Sequence, residues 1–191
     1  ATDIEDRGLN GTRARLVTPM GECNIQTPLL GHGNLSNLLA ATAVALELGV
    51  ELNKIVAKAA EFHALDRRGV VHKTPNGVIL IDDSYNSSPF AFQSVLDVIA
   101  HDTTADRKIA VIGEMLELGE RAITLHEECG QLIASAGLDS IFTVGGVPAR
   151  ALAAAAISSG MSPDSVTYVE NSKQAADLIA KFVRPGDLVL V

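Results

Sequence analysis

Short apolar runs alternate with longer amphipathic stretches along most of this chain, most regularly after residue 70. Runs of four or five aliphatic residues are typical of strands buried on both faces, and apolar residues at helical spacing fill the stretches between them. The predicted strands are 70–73, 78–81, 108–112, 140–144, 166–169 and 187–191, and the predicted helices are 89–100, 123–135, 148–158 and 172–183. Because strands alternate with helices, we expect an α/β fold built from βαβ units around a mostly parallel sheet.

The chain before residue 66 follows a different pattern. Residues 13–30 alternate irregularly between apolar and polar positions around a Pro-Met-Gly-Glu sequence, which predicts a β-hairpin. Residues 34–48 carry Ala and Leu at helical spacing, and Gly49 follows where a helix would end. A second helix is predicted over 53–64, and the short connection makes these two helices an antiparallel pair.

The pattern changes at residues 66–69, Asp-Arg-Arg-Gly, and we expect a domain boundary there. Residues 1–66 would then form the end of one domain, and residues 67–191 would form most of a second one. The chain stops inside a predicted apolar strand, so we expect it to be part of a longer protein.

The net charge and the amino-acid composition limit the partners, the core and the cellular compartment that we expect for this protein. The formal net charge is −8 and no basic residues cluster, which argues against general binding to nucleic acid or to an anionic membrane. Aromatic residues make up only 4% of the chain, so Ala, Val, Leu and Ile must build the core, as in helices packed on a parallel sheet. Two cysteines without a disulfide framework, and a polar N-terminus without a signal peptide, favour the reducing cytoplasm.

The most informative stretch is the strand at residues 78–81 and the Asp-Asp-Ser-Tyr-Asn sequence that follows it. In open α/β sheets ligands bind beyond the carboxyl ends of the strands, so these polar side chains are a candidate site. Alternatively, Asp82, Ser84 and Ser88 only turn the chain and cap the helix that Pro89 begins. The pair Asp82 and Asp83 suits a ribose, a magnesium ion or another cation, and composition does not choose among them.

Several common motifs are missing. There is no GxxxxGK[ST] phosphate loop, no GxSxG nucleophile motif and no HExxH zinc motif. The stretch His126-Glu127-Glu128-Cys129 does not predict a metal site, because helical spacing points its side chains in different directions. Glycines after the strands, at 113 and 145–146, either let the backbone approach a ligand or only end the strand in a turn, and we favour the turn.

The chain carries a set of spaced motifs, which are Arg68, Asp82-Asp83-Ser84-Tyr85-Asn86, Gly113-Glu114-Met115-Leu116-Glu117-Leu118-Gly119, His126 and Gly130. Together these motifs resemble the C-terminal domain of the Mur ligases of peptidoglycan synthesis. Upstream, residues 31–41 are similar to the G-x-H-N-x-x-N-A-L-A-A stretch of the family's central ATPase domain. The resemblance covers nearly the whole chain from about residue 11. It implies a Rossmann-like second domain, residues 67–191, preceded by the tail of the central domain, residues 1–66.

The resemblance implies an ATP-dependent amide ligase that activates a peptide carboxylate as an acyl phosphate. Within the family, the residues of these motifs most resemble those of the member in which UDP-N-acetylmuramoyl-tripeptide is the acceptor and D-alanyl-D-alanine supplies the attacking amine. ATP and Mg²⁺ are the implied cofactors, with the Mg²⁺ ligands and every catalytic residue outside this chain. The expected protein is a cytoplasmic monomer whose other domains complete it, with no nucleic-acid or membrane partner, and the chain alone is expected to be inactive.

The resemblance also assigns residues to roles. Asn34 and Asn37 correspond to the family's adenine contacts, and Arg68 and Asp83 to its contacts with the nucleotide's phosphates and ribose. A guanidinium suits phosphate oxygens, and a carboxylate can accept from ribose hydroxyls. The residues expected at the incoming dipeptide are Tyr85, Asn86, Glu114, Met115 and Glu117.

The chain departs from the family pattern at two places. Gly33 stands where the family has His, so no role is transferred to it or to His32. Ser87-Ser88 replaces the usual Ala-Asn in the turn before Pro89. Two other functions stay open: a sister ligase of the Mur or folylpolyglutamate type, and a non-catalytic Rossmann-like binding module.

Overall fold

Two separate units make up the chain, Ala1–Leu65 and Asp66–Val191. The computed structural model describes all residues from 1 to 191. None of its helices has the length and apolar character needed to cross a membrane.

The first unit is a three-stranded antiparallel sheet with two helices. Its elements are β1 (Thr2–Asp6), β2 (Thr12–Thr18), β3 (Gly21–Thr27), α1 (Gly31–Glu47) and α2 (Leu52–Ala60). The pairing of β2 with β3 confirms the predicted hairpin. A small core holds the sheet and helices together, made of Ala14, Leu16, Ile25, Leu35, Leu38 and Ala59.

Three elements of this unit differ from the prediction. Strand β1 was not predicted, because its residues are polar and mostly exposed and only its pairing with β2 makes it a strand. Helix α1 begins at Gly31, three residues before the predicted start. Helix α2 ends at Ala60 instead of 64, and Phe62 then packs against the core of the unit.

The second unit confirms the predicted α/β fold and nearly every predicted element. Its elements are β4 (Val70–Lys73), β5 (Ile79–Asp82), α3 (Pro89–Ala100), β6 (Arg107–Gly113), α4 (Ala122–Ser135), β7 (Ser140–Val144), α5 (Val147–Ser158), β8 (Val166–Val169), α6 (Ser172–Phe182) and β9 (Asp187–Leu190). Ser88 accepts a hydrogen bond from the Ala91 N–H, and Pro89 takes the first helical position. These two residues therefore define the start of α3.

The sheet of the second unit runs in the order β4-β5-β9-β6-β7-β8. Only β4 is antiparallel to its neighbour, and all other pairs are parallel. The last strand, β9, therefore lies in the middle of the sheet. The ladder continues past it, because the Asp83 N–H donates to the Val191 carbonyl at 2.8 Å. Strand β9 thus fixes the backbone where the polar Asp-Asp-Ser-Tyr-Asn stretch begins.

The core of this unit is aliphatic, as the composition predicts. Ile81, Ile109, Ile141 and Leu188 on four neighbouring strands are fully buried. Helix α6 covers a cluster around Val78, Ile109, Phe142 and Val189 through its residue Ile179. Helices α4 and α5 approach closely at Gly130, where an added Cβ would lie 2.4 Å from the Leu152 carbonyl oxygen.

Candidate functional site

The polar residues after β5 stabilise the turn and the start of the next helix, and they also form a candidate site. The Asp82 carboxylate accepts from both the backbone N–H and the hydroxyl of Ser84, at 3.1 and 2.7 Å. Ser88 caps α3, and the Asn86 side-chain oxygen accepts from the Ser87 N–H at 2.9 Å. Asp82, Ser84 and Ser88 therefore turn the chain and cap the helix, which leaves Asp83 and Tyr85 for other contacts.

Arg68, Asp83 and Tyr85 form one charged and aromatic cluster. The guanidinium carbon of Arg68 lies 4.2 Å from the centre of the Tyr85 ring, a cation–π contact. The Tyr85 N–H donates to the Arg67 carbonyl at 3.0 Å, which ties the two segments together. Burial raises the pKa of Asp83, and the nearby Arg68 charge only partly offsets this effect. A half-buried carboxylate thus lies beside a cation held on an aromatic face.

A cleft of about 610 Å³ opens at the carboxyl ends of the parallel strands. Residues at the ends of β5, β6, β7 and β9 line it together with one side of α6. Its polar lining includes Asp83, Tyr85, Asn86 and Glu114, so the structure brings four of the predicted site residues to one concave surface. Such clefts at the carboxyl ends of parallel strands are where α/β proteins bind ligands.

Glu114 is held from the other side of the cleft. Its Oε1 accepts from the Gly146 N–H at 2.6 Å, where α5 begins. The N-terminal end of a helix favours negative charge, so this contact stabilises the carboxylate. Gly145, with φ of 139°, makes room for it, because a Cβ there would lie 2.5 Å from the Glu114 Cγ. The glycines after β7, interpreted from sequence as an ordinary turn, therefore receive a side chain from the loop after β6.

The remaining predicted residues of that loop lie in different surroundings. The Met115 side chain is only 3% exposed, and its N–H donates to Nε2 of the buried His126 at 3.0 Å. Glu117 is exposed, has φ of 63° and does not line the cleft. Sequence reasoning gave His126 no role. The only signal was its presence in the spaced motifs, eleven residues after Met115.

Asn34 and Asn37 belong to the first unit, in the opening turns of α1. The Asn34 amide donates to the Leu30 carbonyl at 2.9 Å, which leaves its side-chain oxygen free to accept. Asn37 is exposed. Residues three positions apart on a helix are surface neighbours, so both amides can meet one ligand.

The chemistry of these groups suits a nucleotide better than a metal. In the second unit, a guanidinium and a carboxylate match phosphate oxygens and ribose hydroxyls. In the first unit, taken by itself, the two amides match a purine edge. No group of three or more His, Cys, Asp or Glu side chains in the structure is placed to hold a metal ion.

Comparison with known proteins relates the chain to one family. Residues 67–191 match the family model described as Mur ligase, glutamate ligase domain. UDP-N-acetylmuramoyl-tripeptide–D-alanyl-D-alanine ligase of Mycobacterium leprae is 34% identical over 185 residues, which cover 90% of this chain and 36% of that protein. The ligase of the same name from Escherichia coli is 32% identical over 136 residues, covering 71% of this chain and 30% of the relative.

Solved structures give the same relationship. A crystal structure of MurF from Acinetobacter baumannii superposes with a TM-score of 0.84 at 26% identity, over 100% of this chain and 40% of that one. MurF ligase from Thermotoga maritima in complex with ADP superposes with a TM-score of 0.78 at 26% identity, over 98% of this chain and 41% of that one. The chain thus spans little more than a third of the length of these relatives.

Proposed function

This chain belongs to the Mur ligase family, and on that premise we propose that it is part of an ATP-dependent ligase that joins D-alanyl-D-alanine to UDP-N-acetylmuramoyl-tripeptide. The match of residues 67–191 to the family supports the reaction class, and the names of the relatives support the substrates. The observation that carries the proposal is the cluster of Arg68, Asp83 and Tyr85, in which Asp83 and Tyr85 line the cleft and Arg68 lies against Tyr85.

Nucleotide contacts are assigned to residues of each unit, taken by itself. In the second unit, Arg68 donates to phosphate oxygens and Asp83 accepts from the ribose hydroxyls. An arginine held by an aromatic face can still donate through the edge of its planar guanidinium, as phosphate binding requires. In the first unit, Asn34 and Asn37 contact the adenine. The ADP complex of the related Thermotoga maritima ligase supports a nucleotide as the ligand.

The residues across the cleft receive the dipeptide. Tyr85, Asn86 and Glu114 line the cleft. Met115 and Glu117 belong to the same loop as Glu114 and stay assigned to the dipeptide, although Met115 is buried and neither of them lines the cleft. ATP supplies the phosphoryl group that activates the tripeptide carboxylate. The part of the chain around the cleft holds the attacking amine near that carboxylate, and orientation of this kind converts a bimolecular encounter into an intramolecular reaction.

Three further features belong to this proposal. The Mg²⁺ of the ligase is held by residues outside this chain. The protein works in the cytoplasm as a monomer, without nucleic-acid or membrane partners. The rest of the same polypeptide supplies the phosphate-binding and catalytic groups, so the chain by itself is inactive.

The test is a ligation assay on the full-length protein that contains this chain. ATP, UDP-N-acetylmuramoyl-tripeptide and D-alanyl-D-alanine are supplied together, and phosphate release and the peptide product are both measured. We expect release only when both peptide substrates are present. Product with a single amino acid in place of the dipeptide would indicate the sister ligase. No product with any acceptor would indicate the non-catalytic module and overturn the proposal.

A further inference from the structure

His126 is completely buried in α4, and both of its ring nitrogens are engaged. Nδ1 lies 2.7 Å from the Ala122 carbonyl oxygen, and Nε2 lies 3.0 Å from the Met115 backbone nitrogen. A carbonyl can only accept a hydrogen bond and a backbone N–H can only donate one. The proton must therefore be on Nδ1 and the lone pair on Nε2, which fixes a neutral imidazole in a single tautomer.

This hydrogen bond anchors the loop that follows β6. Glu114 is tied to the Gly146 N–H and the next residue, Met115, to His126, so two successive residues are fastened to the starts of α5 and α4. Beyond these anchors the loop is free of the core, since Leu116 is 71% exposed and lines the cleft. Glu117 has φ of 63°, a conformation that a non-glycine residue keeps only when its surroundings impose it.

We propose that His126 is a positioning residue for the dipeptide substrate. It acts through the Met115 N–H, which holds the loop at residues 114–119 so that Leu116 is presented at the cleft. This inference rests on the proposed function for the identity of the dipeptide, while the anchoring itself does not. A histidine that merely fills space in the core would not need an acceptor at Nε2, and this difference makes the two roles separable.

Two substitutions of His126 distinguish the loss of the hydrogen-bond acceptor for the Met115 N–H from the loss of packing in the core. His126→Gln places a side-chain oxygen near the position of Nε2, so an acceptor for Met115 is retained. His126→Asn is shorter and retains a donor for the Ala122 carbonyl but no acceptor within reach of Met115. His101 is the matched control, because its Nδ1 also lies 2.7 Å from the carbonyl oxygen four residues earlier, while the residue is exposed.

The kinetic experiment uses the full-length protein and varies D-alanyl-D-alanine at saturating ATP and tripeptide, and then varies ATP with both other substrates saturating. We expect His126→Asn to raise the KM for the dipeptide about tenfold, with the KM for ATP changed less than about twofold, as for loss of one buried hydrogen bond. His126→Gln should recover most of the loss, and His101→Asn should match the wild type. Equal losses in the Gln and Asn variants, or equal rises in both KM values, would overturn the positioning role.

A second readout does not depend on activity. Nitrogen NMR of the imidazole in the same full-length protein should show the Nδ1–H tautomer for His126, and the Met115 amide should exchange slowly with solvent. In His126→Asn, exchange should become faster at Met115 and along the loop, and stay slow in the rest of α4. A charged imidazole, an Nε2–H tautomer or a rapidly exchanging Met115 amide contradicts the inference. If the wild type does not ligate, the proposed function fails, and these measurements still decide the anchoring.

Discussion

Arg107 and Asp187 form a bidentate ion pair between neighbouring central strands, with N–O distances of 2.8 and 2.6 Å. The Asp187 side chain is fully buried, and the Arg107 guanidinium lies 4.8 Å from the centre of the Phe182 ring. The Arg184 N–H also donates to Asp187 at 2.8 Å. The pair joins the start of β6 to the start of β9 and so helps to fix the position of the last strand in the sheet.

We expect Asp187→Asn to lower the free energy of unfolding by about 3 kcal/mol, because removal of one partner leaves a largely buried charge without compensation. Denaturant unfolding measures the change. Glu128→Gln is the matched control, since its pair with Arg121 is exposed and its loss should cost less than about 0.5 kcal/mol. Equal effects of the two substitutions would show that the buried pair contributes no more than a surface pair.

The same pair predicts a pH dependence of stability. Burial alone would raise the pKa of Asp187, but the hydrogen bonds from Arg107 and the Arg184 N–H hold it below its ordinary value of 3.8. The folded state therefore favours the ionised form, and this contribution is present above pH 3.8 and lost as the pH falls through the lower, folded-state pKa. The stability difference between wild type and Asp187→Asn should thus shrink on acidification below pH 3.8. A difference that stays constant would contradict this account.

Gly130 lies where α4 and α5 pack most closely, and Gly130→Ala should be destabilising. The new Cβ would lie 2.4 Å from the Leu152 carbonyl oxygen and 2.8 Å from the Ala155 Cβ, so the helices must separate. We expect a loss of about 2 kcal/mol in the free energy of unfolding, within the range for overpacked cores. Gly113→Ala is the control, because nothing lies within 4 Å of a Cβ at that position. If Gly130→Ala were as stable as the wild type, α4 and α5 would be able to separate at this position without a measurable loss of stability.

Local sequence patterns predict most helices and strands of the second unit, but they do not predict the order of the strands in its sheet. Helix α3 was predicted to the residue because Ser88 and Pro89 mark its start. The position of β9 between β5 and β6 depends on contacts between residues far apart in the chain, such as Arg107 and Asp187. Strand β1 was missed for a related reason, since it is polar and depends on its pairing with β2.

The candidate site shows the same division. The polar residues after β5 were recognisable because a buried strand precedes them and a helix start follows. The contacts of Glu114 with Gly146 and of Met115 with His126 join different elements, and no periodicity in the sequence indicates them. The residue roles taken from the resemblance stay predictions until variants are measured.

Arg68→Ala should weaken the use of ATP by the full-length ligase. Loss of a charged hydrogen-bonding partner costs about one to three kcal/mol, so kcat/KM for ATP should fall by about fivefold to 150-fold. Arg67→Ala is the matched control, because this neighbour is exposed, lies 5.8 Å from the Tyr85 ring centre and pairs with Asp66. Equal losses in both variants would assign the effect to general positive charge and remove the specific role of Arg68.

Asp83→Asn should lower activity while raising stability at neutral pH. Burial raises the pKa of Asp83, so the folded state resists ionisation of this carboxyl and folding is penalised once the unfolded chain ionises. The penalty is absent below the ordinary value of 3.8 and complete above the raised, folded-state pKa. The Asn variant should therefore unfold at higher denaturant concentration than the wild type at pH 7, with the difference vanishing on acidification. Asp97→Asn, at an exposed position on α3, should change stability by less than about 0.5 kcal/mol. A destabilised Asp83→Asn variant with wild-type ATP kinetics would make Asp83 a structural residue held by Arg68, and the ribose would need another partner.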